Sequence, residues 1–135
     1  MKNRKFFLLI IIFLISLVRV YGQQLTPAAI AQGQLDAYNQ QQIEDFLSWY
    51  ADDVEVYNFP HELVYKGKDQ MRKVYTQAWA RNPKQRAEVT NRMSIGSTVI
   101  DQEQVTGRAD GRTAGVVAIY KIANNKIKQV YFVRE

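Results

Sequence analysis

The chain has 135 residues, of which 18 are Lys or Arg and 13 are Asp or Glu, with a single histidine and no cysteine. The lack of cysteine excludes disulfide bonds and thiolate metal sites. One histidine without a carboxylate cluster at ligand spacing also argues against a metal centre. We therefore expect a site that uses neither a metal nor a cofactor.

The first 22 residues have the three-part layout of a secretory signal peptide. Three basic side chains in "MKNRK" precede an apolar run from Phe6 to Val18, and the segment ends on the small residue Gly22. A membrane-spanning helix needs about 20 apolar residues, more than this run of thirteen provides. We predict cleavage near Gly22, export to the periplasm or the exterior, and no stable membrane insertion after cleavage. A retained anchor is the alternative.

Removal of residues 1–22 changes the charge balance of the chain. It takes away four basic side chains and no acidic one, so fourteen bases face thirteen acids and the formal charge falls from +5 to +1. A nucleic-acid-binding surface needs a basic stripe, so we predict no nucleic-acid partner. Residues 36–69 are acid-rich and residues 72–134 are base-rich, which we interpret as paired or solvated charges. Residues 23–135 have the size of a single domain.

Apolar periodicity predicts three amphipathic helices and one short strand in the first half of the mature chain. Thr26 and Pro27 supply a capping side chain and a first-turn proline for the first helix. Gly67 precedes the third helix, and Asn82 with Pro83 ends it. The predicted ranges are residues 26–39 and 43–50 for the first two helices, 54–59 for the strand and 68–82 for the third helix.

From residue 86 onward the apolar period changes to two, which is typical of β-strands. Turn signals at "GS", "RADGR" and "ANN" divide this part into four strands joined by short connections. An antiparallel sheet of this kind must bury one face, and the helices carry the apolar stripes to cover it. The predicted fold is α+β: a cone-shaped, strongly curved, mainly antiparallel sheet wrapped around three N-terminal helices, with a pocket at the open mouth.

Three segments carry a likeness to a known fold family: "DAYNQQQIEDFLSWYADDVEVYNFP", "YKGKDQMRKVYTQAW" and "AIYKIANNKIKQVYFVR". Together with the order of elements they resemble the nuclear transport factor 2-like superfamily, which includes SnoaL-like and ketosteroid-isomerase-like proteins. The resemblance extends from about Ala28 to Arg134. It implies a homodimer formed through the outer sheet face. It does not imply one reaction, because this fold hosts several enzyme classes and non-catalytic binding modules.

The resemblance also implies where the catalytic groups of steroid isomerases would fall in this chain. Their carboxylate base falls on Asn58, their tyrosine on Gln34, and their second acid near Ala118. An asparagine amide is not basic and cannot take a proton from a carbon acid at neutral pH. Loss of the donors also removes most of the oxyanion stabilisation. We therefore do not expect isomerase chemistry of that type.

His61 and Asp101 are the candidate catalytic bases. Glu62 adjoins His61, but neighbours on an extended chain point in opposite directions. A catalytic His61 would therefore take its partner from the sheet, where Asp101 and Glu103 are candidates. The alternative is that His61 is a solvated residue of a loop at the mouth of the cone.

Arg92, Asp101 and Asn58 resemble the groups with which epoxide hydrolases of this fold hold a water. The alternative, which we favour, is a cross-strand ion pair between Arg92 and Asp101. The segment "GRADGR" lacks the strand-to-helix context of a nucleotide-binding loop. It is predicted to be a turn framed by Arg108 and Arg112.

Aromatic and polar residues near the predicted mouth are assigned to ligand binding. Tyr and Trp combine apolar surface with a hydrogen-bonding group, which suits a pocket of mixed polarity. Residues 61–67 are interpreted as a connection that crosses the mouth. The predicted ligand-binding residues are Tyr38, Tyr57, Asn58, Phe59, Trp79 and Arg92.

Two functions are open at this point. The first is an exported domain that binds a small apolar or mixed-polarity molecule and performs no chemistry. The second is a small cofactor-free lyase, isomerase or hydrolase that uses His61 or Asp101 as its base. Both require a cavity between helices and sheet, and the second also requires one of those two residues to reach it.

Overall fold

A computed structural model describes residues 24–134. This part of the chain contains three helices and six strands, and the predicted order is confirmed with one added strand. The helices are α1 (Pro27–Gln40), α2 (Ile43–Ser48) and α3 (Lys68–Arg81). The strands are β1 (Tyr50–Asn58), β2 (Glu62–Lys66), β3 (Arg86–Ile95), β4 (Thr98–Thr106), β5 (Ala114–Ala123) and β6 (Lys126–Arg134).

α1 and α3 begin and end within one residue of the prediction, whereas α2 ends at Ser48 and β1 already begins at Tyr50, so the predicted helix end at residue 50 and strand start at residue 54 were wrong. Thr26 Oγ1 accepts a hydrogen bond from Ala29 N at 3.1 Å and so caps the start of α1. α3 ends at Asn82, whose side-chain nitrogen donates to Ala78 O at 2.9 Å. These boundaries depend on local hydrogen bonds, which is why residue types alone locate them.

The six strands form one curved, unclosed sheet in the order β2-β1-β6-β5-β4-β3. Neighbouring strands are antiparallel except for β1 and β6, which are parallel. The helices contribute their buried residues to the same core cluster as one face of the sheet. The predicted α+β cone is therefore confirmed.

An aromatic cluster joins two helices to the sheet. Phe46 of α2 is fully buried. Its ring centroid lies 4.9 Å from that of Tyr50 in β1 and 4.5 Å from that of Tyr75 in α3. Aromatic pairs at such distances contribute about 0.5–1.5 kcal/mol each beyond the burial of area. The cluster thus fixes α2 and α3 on the concave face.

Residues 62–66 form a strand, which corrects their interpretation as part of a connection across the mouth. β2 pairs antiparallel with β1, so that Asn58 lies opposite Glu62 and Val56 opposite Tyr65. The β-prone residues of "ELVYK" favour this hairpin. β2 is an edge strand of the sheet.

A β-bulge reverses the faces of β3 halfway along its length. The pairing with β4 shifts register between Val89 and Asn91. One extra residue moves every following side chain to the other face of a sheet. Ala87 is consequently buried, whereas Met93 and Ile95 are exposed. The single alternation predicted for this strand therefore holds only up to the bulge.

The predicted signal peptide, residues 1–22, lies outside the described residues. Its cleavage stays a prediction, as does the assignment of residues 23–135 to one domain. Within residues 24–134, no helix is long and apolar enough to cross a membrane. The same residues contain no group of three or more His, Cys, Asp or Glu side chains placed to hold a metal ion.

Candidate functional site

A cavity of about 810 Å³ lies between the helices and the concave face of the sheet. Small-molecule sites in proteins have volumes of roughly 300–1,000 Å³. Most of the wall is aromatic or aliphatic, with a few charged side chains. The tyrosines are Tyr38, Tyr50, Tyr65, Tyr75 and Tyr120; the larger aliphatic residues and Phe are Leu35, Val56, Val64, Val74, Val105, Val116 and Phe132; the charged residues are Glu103, Arg108, Arg112 and Arg134.

Glu103 is the acidic member of the wall among the described residues. It lies in β4 and is only 7% exposed. Burial raises the pKa of its carboxyl group to about 7, and the charge of Asp101 acts in the same direction. The hydrogen bond from Tyr120 and the charge of Arg92 oppose this rise. Glu103 therefore changes its protonation state near neutral pH.

A chain of hydrogen bonds leads to the Glu103 carboxyl group. The Tyr50 hydroxyl donates to Gln34 Oε1, Gln34 Nε2 donates to Tyr120 Oη, and Tyr120 donates to Glu103 Oε1, each at 3.0 Å. Burial raises the pKa of both tyrosines well above the ordinary value, so they remain neutral donors. All three bonds point the same way, and such chains strengthen cooperatively.

This arrangement suits proton transfer at Glu103. The ionised carboxylate accepts a proton, and the neutral acid donates one, so the same group can work as general base or general acid. A strongly shifted pKa in a cavity is a frequent property of functional groups in enzymes. Tyr120 orients one carboxyl oxygen, Oε1.

A protein-family model matches most of the described residues. The family model of the SnoaL-like domain matches residues 31–130, a span that includes Gln34, Glu103 and Tyr120. The chain belongs to the SnoaL-like domain family. A comparison with curated proteins gives no significant match.

Solved structures share the fold of this SnoaL-like domain. An uncharacterised cystatin-fold protein from Novosphingobium aromaticivorans is 29% identical, with a TM-score of 0.76 over 82% of this chain and 99% of that chain. A SnoaL-like protein from Burkholderia thailandensis is 16% identical, with a TM-score of 0.69 over 81% and 93%. An epoxide hydrolase from M. tuberculosis is 10% identical, with a TM-score of 0.71 over 81% and 82%. The predicted superfamily is confirmed.

Arg92 and Asp101 form the cross-strand ion pair that the sequence favours. They lie opposite each other on β3 and β4. Arg92 Nε and Nη2 donate to the two carboxylate oxygens of Asp101 at 2.7 and 2.8 Å. Asp101 is fully buried, and neither residue belongs to the cavity wall of the SnoaL-like domain. The structure therefore does not place Asp101 where it could act on a molecule in the cavity.

His61 and its neighbours at the end of β1 also lie outside the cavity wall. His61 is exposed in the turn between β1 and β2, and Phe59 is 57% exposed. Asn58 is half-buried and hydrogen-bonds Glu62 and Arg134 instead. This placement agrees with a solvated loop histidine, because His61 is exposed in the turn that joins the two strands.

Tyr57 points to the outer face of the sheet. Its ring stacks on Tyr131 with centroids 4.8 Å apart, and its hydroxyl donates to Glu55 at 2.8 Å. Val54 and Val56 are buried on the inner face. Alternation along the strand therefore turns Tyr57 outward.

Tyr38 is the member of the six predicted ligand-binding residues that lines the cavity. Trp79 packs behind it: the centroid of the Trp79 ring lies 5.7 Å from that of Tyr38 and 5.6 Å from that of Phe46. Trp79 is 6% exposed, and its buried Nε1 has no hydrogen-bond partner among the described residues. Trp79 is thus a core residue that supports the wall.

The connection between β4 and β5, residues 107–113, forms one side of the mouth and contains two of the lining arginines. Gly107 has a φ of +68°, and a Cβ added there would lie 1.9 Å from Lys84 O. Only glycine fits such a position. Ala109 N also donates to Asn82 Oδ1 at 2.9 Å. The turn is confirmed, and these contacts hold it against the end of α3.

Sequence reasoning named Glu103 only as a candidate partner for His61 and did not find its hydrogen-bond chain. A signal was present, because positions 99, 101, 103 and 105 share one face of β4 and two of them are valines. Carboxyl groups on an otherwise apolar face are costly to bury. Gln34 was the position implied for an isomerase tyrosine, and it does line the cavity.

Proposed function

We propose that this protein binds a small, largely apolar molecule in the cavity between its helices and its sheet. The observation that carries this proposal is the 810 Å³ cavity itself, whose wall is mostly aromatic and aliphatic with polar and charged groups among them. Sites of this composition bury most of a small ligand and orient it through a few hydrogen bonds. Glu103 and Tyr120 supply such bonds inside the cavity.

Filling the cavity tests the proposal. Val116 lines the cavity, while Val117 points to the other face of β5 by strand alternation. The probe is the neutral dye phenylnaphthylamine, which fluoresces on entering an apolar site. We expect saturable binding to the wild type and to Val117→Trp, and binding weaker by about tenfold or more with Val116→Trp. Equal binding by both variants would refute the cavity as the site.

A second function, acid–base catalysis on the bound molecule, is favoured by the pKa of Glu103. The value of about 7 lies near physiological pH, where a group can work both as acid and as base. Glu103 then takes the role for which the sequence suggested His61 or Asp101. The reaction would be that of a cofactor-free lyase, isomerase or hydrolase.

Nitrobenzisoxazole is a suitable reporter of such a base. A carboxylate that removes its ring proton opens the ring to a coloured cyanophenolate, with no other reagent. We expect turnover to rise with pH around a midpoint near 7 and to fall by about a hundredfold in Glu103→Gln. His61→Gln serves as the control and should keep the wild-type rate. Unchanged turnover in Glu103→Gln would remove Glu103 as the base.

Export of the protein is also a proposal, and it is supported by the basic, apolar and small-residue layout of residues 1–22. N-terminal sequencing of protein recovered from the periplasm or the medium should begin near residue 23. Recovery of the uncleaved chain in the membrane fraction would contradict cleavage and favour the anchor.

Homodimerisation through the outer sheet face is a proposal of the same kind. Met93, Ile95 and Val133 are exposed apolar residues on this side, and such residues favour an interface when they adjoin one another. Sedimentation of the mature protein should give twice the monomer mass. A monomer mass at micromolar concentration would contradict it.

A further inference from the structure

We propose that the ligand of the cavity is an amphipathic acid. Its apolar body occupies the tyrosine-lined interior, and its anionic group binds the guanidinium groups of Arg108, Arg112 and Arg134 at the mouth. The anionic group is a carboxylate, a sulfonate or a phosphate monoester. This inference rests on the proposed binding function and adds the chemical class of the ligand.

The three arginines meet little negative charge within the part of the chain that the structure describes. Asp110 accepts hydrogen bonds from Arg108 Nη2 at 2.9 Å and from Arg112 Nε at 3.1 Å. Arg134 Nη1 donates to the neutral Asn58 Oδ1 at 3.0 Å. One carboxylate thus serves two guanidinium groups, and the third has an amide as its partner. The wall carries an excess of positive charge at its mouth.

Among the residues that the structure describes, Glu62 is the other acidic side chain near this group. It accepts a hydrogen bond from Asn58 Nδ2 at 3.1 Å and therefore approaches Arg134 only through the amide. Even with both acids counted, the three arginines leave a positive charge at the rim within residues 24–134, the part of the chain that the structure describes. An anionic ligand would neutralise it.

The guanidinium groups also retain donors. Each has five N–H groups in a planar fork that matches the paired oxygens of an anion. Arg134 uses one terminal nitrogen for Asn58, and its Cζ lies 4.7 Å from the centroid of the Phe132 ring. Phe132 belongs to the cavity wall, so the stacking holds the arginine fork at the cavity.

The spacing between the interior carboxyl group and the rim sets the length of the ligand. Val116 pairs with Glu103 on one side and with Arg134 on the other, so the three residues form a row across β4, β5 and β6. Two strand spacings separate the ends of this row by about 10 Å between Cα atoms. A ligand of about that length can contact both ends.

The different charges at the two ends of this row determine which end of the ligand faces outward. An anion beside Glu103 would meet a second carboxyl group and two neutral tyrosines in a buried place, where an uncompensated charge is costly. The interior therefore accepts a neutral polar group, such as a hydroxyl or a carbonyl. Val64 and Val74, which are 49% and 40% exposed, extend the apolar wall to the rim.

A pair of dyes that differ in one charge tests this inference. Anilinonaphthalene sulfonate carries the ring system of phenylnaphthylamine plus a sulfonate group. We expect the wild type to bind the sulfonate about tenfold more tightly than the neutral dye. Arg134→Gln and the double variant Arg108→Gln with Arg112→Gln should each weaken sulfonate binding about threefold to tenfold and weaken neutral-dye binding less, so that the preference for the sulfonate falls. Lys121→Gln, near the far end of β5, removes one charge as a control and should change neither.

The outcomes separate this inference from the proposed function. Neutral-dye binding that Val116→Trp abolishes, together with no preference for the sulfonate, would overturn the acid ligand and keep the cavity as a binding site. Dye binding that Val116→Trp leaves unchanged, or no binding of either dye, would overturn both the acid ligand and the cavity as a binding site. Sulfonate binding that falls equally in Lys121→Gln would show general charge attraction and would also refute the rim site.

Competition identifies the anionic group. Decanoate, decyl phosphate and decanol share one apolar chain and differ at its head. We expect decanoate or decyl phosphate to displace the sulfonate dye from the wild type at lower concentration than decanol, and the better of the two acids identifies the group. Displacement by decanol at the same concentration as both acids would contradict an anionic ligand.

Discussion

Tyr120 and Glu103 share a hydrogen bond inside the cone, in which the tyrosine hydroxyl donates to Glu103 Oε1 at 3.0 Å. The two residues lie on neighbouring strands and are 3% and 7% exposed. One neutral donor does not offset the loss of water around the carboxylate, so the pKa of Glu103 stays raised. The raised pKa of Glu103 therefore affects both the stability of the fold and the protonation state of the cavity.

Glu103 should make the protein less stable as pH rises toward neutrality. Its pKa is about 7 in the folded state against an ordinary 4.5. Between these values the native state holds a proton that the unfolded state has released, so the free energy of unfolding falls with rising pH. This loss of unfolding free energy is absent below pH 4.5 and complete above pH 7, the two pKa values of Glu103. It amounts to about 3 kcal/mol. Urea unfolding of wild type and Glu103→Gln across this range measures it.

We expect Glu103→Gln to abolish this slope and to be the more stable protein above neutral pH. Glu88→Gln, which changes an exposed residue of β3, is the control and should keep the wild-type slope. The pKa of Glu55 is lowered to about 2 by hydrogen bonds from Gln129, Lys66 and Tyr57. Its contribution is therefore lost at acid pH, outside this window. A slope in Glu103→Gln equal to that of the wild type would contradict the buried carboxyl group.

Removing the Tyr120 hydroxyl should raise the pKa of Glu103 further. Tyr120→Phe takes away the one hydrogen bond that favours the carboxylate. Tyr50→Phe is the comparison: its hydroxyl donates to Gln34 and not directly to Glu103, so it should raise the midpoint less than Tyr120→Phe does. Side-chain carboxyl NMR titration measures the midpoints, with Glu103→Gln to assign the signal. A midpoint in Tyr120→Phe at or below that of the wild type would show that the bond does not hold the carboxylate.

The fold was predictable because its signals are local. Thr26 marks the start of α1 and Asn82 the end of α3 through hydrogen bonds within a few residues. The bulge between Val89 and Asn91 gives no comparable signal, because it depends on how β3 meets its partner strand. Everything after it changes face, which is why Met93 and Ile95 are exposed.

The site was harder to predict because it is assembled by strand register. The resemblance to the superfamily implies a site at the end of β1, but Asn58 and His61 lie outside the cavity wall. The outward direction of Tyr57 could have been read from the apolar Val54 and Val56. The meeting of Gln34, Tyr120 and Glu103 could not, because these residues are up to 86 positions apart along the chain.

Breaking the ion pair of Asp101 should destabilise the domain far more than breaking a surface pair. Asp101→Asn leaves the guanidinium group of Arg92 without its partner, and this side chain is 20% exposed and so partly rehydrated. We expect a loss of about 2–4 kcal/mol in the free energy of unfolding, with a larger loss in Arg92→Met because Asp101 is fully buried.

The surface pair of Glu44 and Arg72 is the comparison for this prediction. Their side chains are 76% and 43% exposed, so Glu44→Gln should change stability little. Asp101→Asn should also lower the pKa of Glu103, since the charge of Asp101 helps to raise it. Urea unfolding and the carboxyl titration measure the two effects. A loss in Asp101→Asn no larger than that of Glu44→Gln would show that the pair is not structural.

Gly107 and Gly111 provide a matched test of how the mouth is held. Both have positive φ, at +68° and +71°, so an alanine is strained at either position. An added Cβ meets Lys84 O at 1.9 Å at Gly107 but no atom within 4 Å at Gly111. We expect Gly111→Ala to cost about 1 kcal/mol and Gly107→Ala about 3 kcal/mol or more in urea unfolding. Because the clash displaces the connection that carries Arg108 and Arg112, Gly107→Ala should also weaken binding of the sulfonate dye. Equal costs for the two variants would mean that the connection does not pack against Lys84.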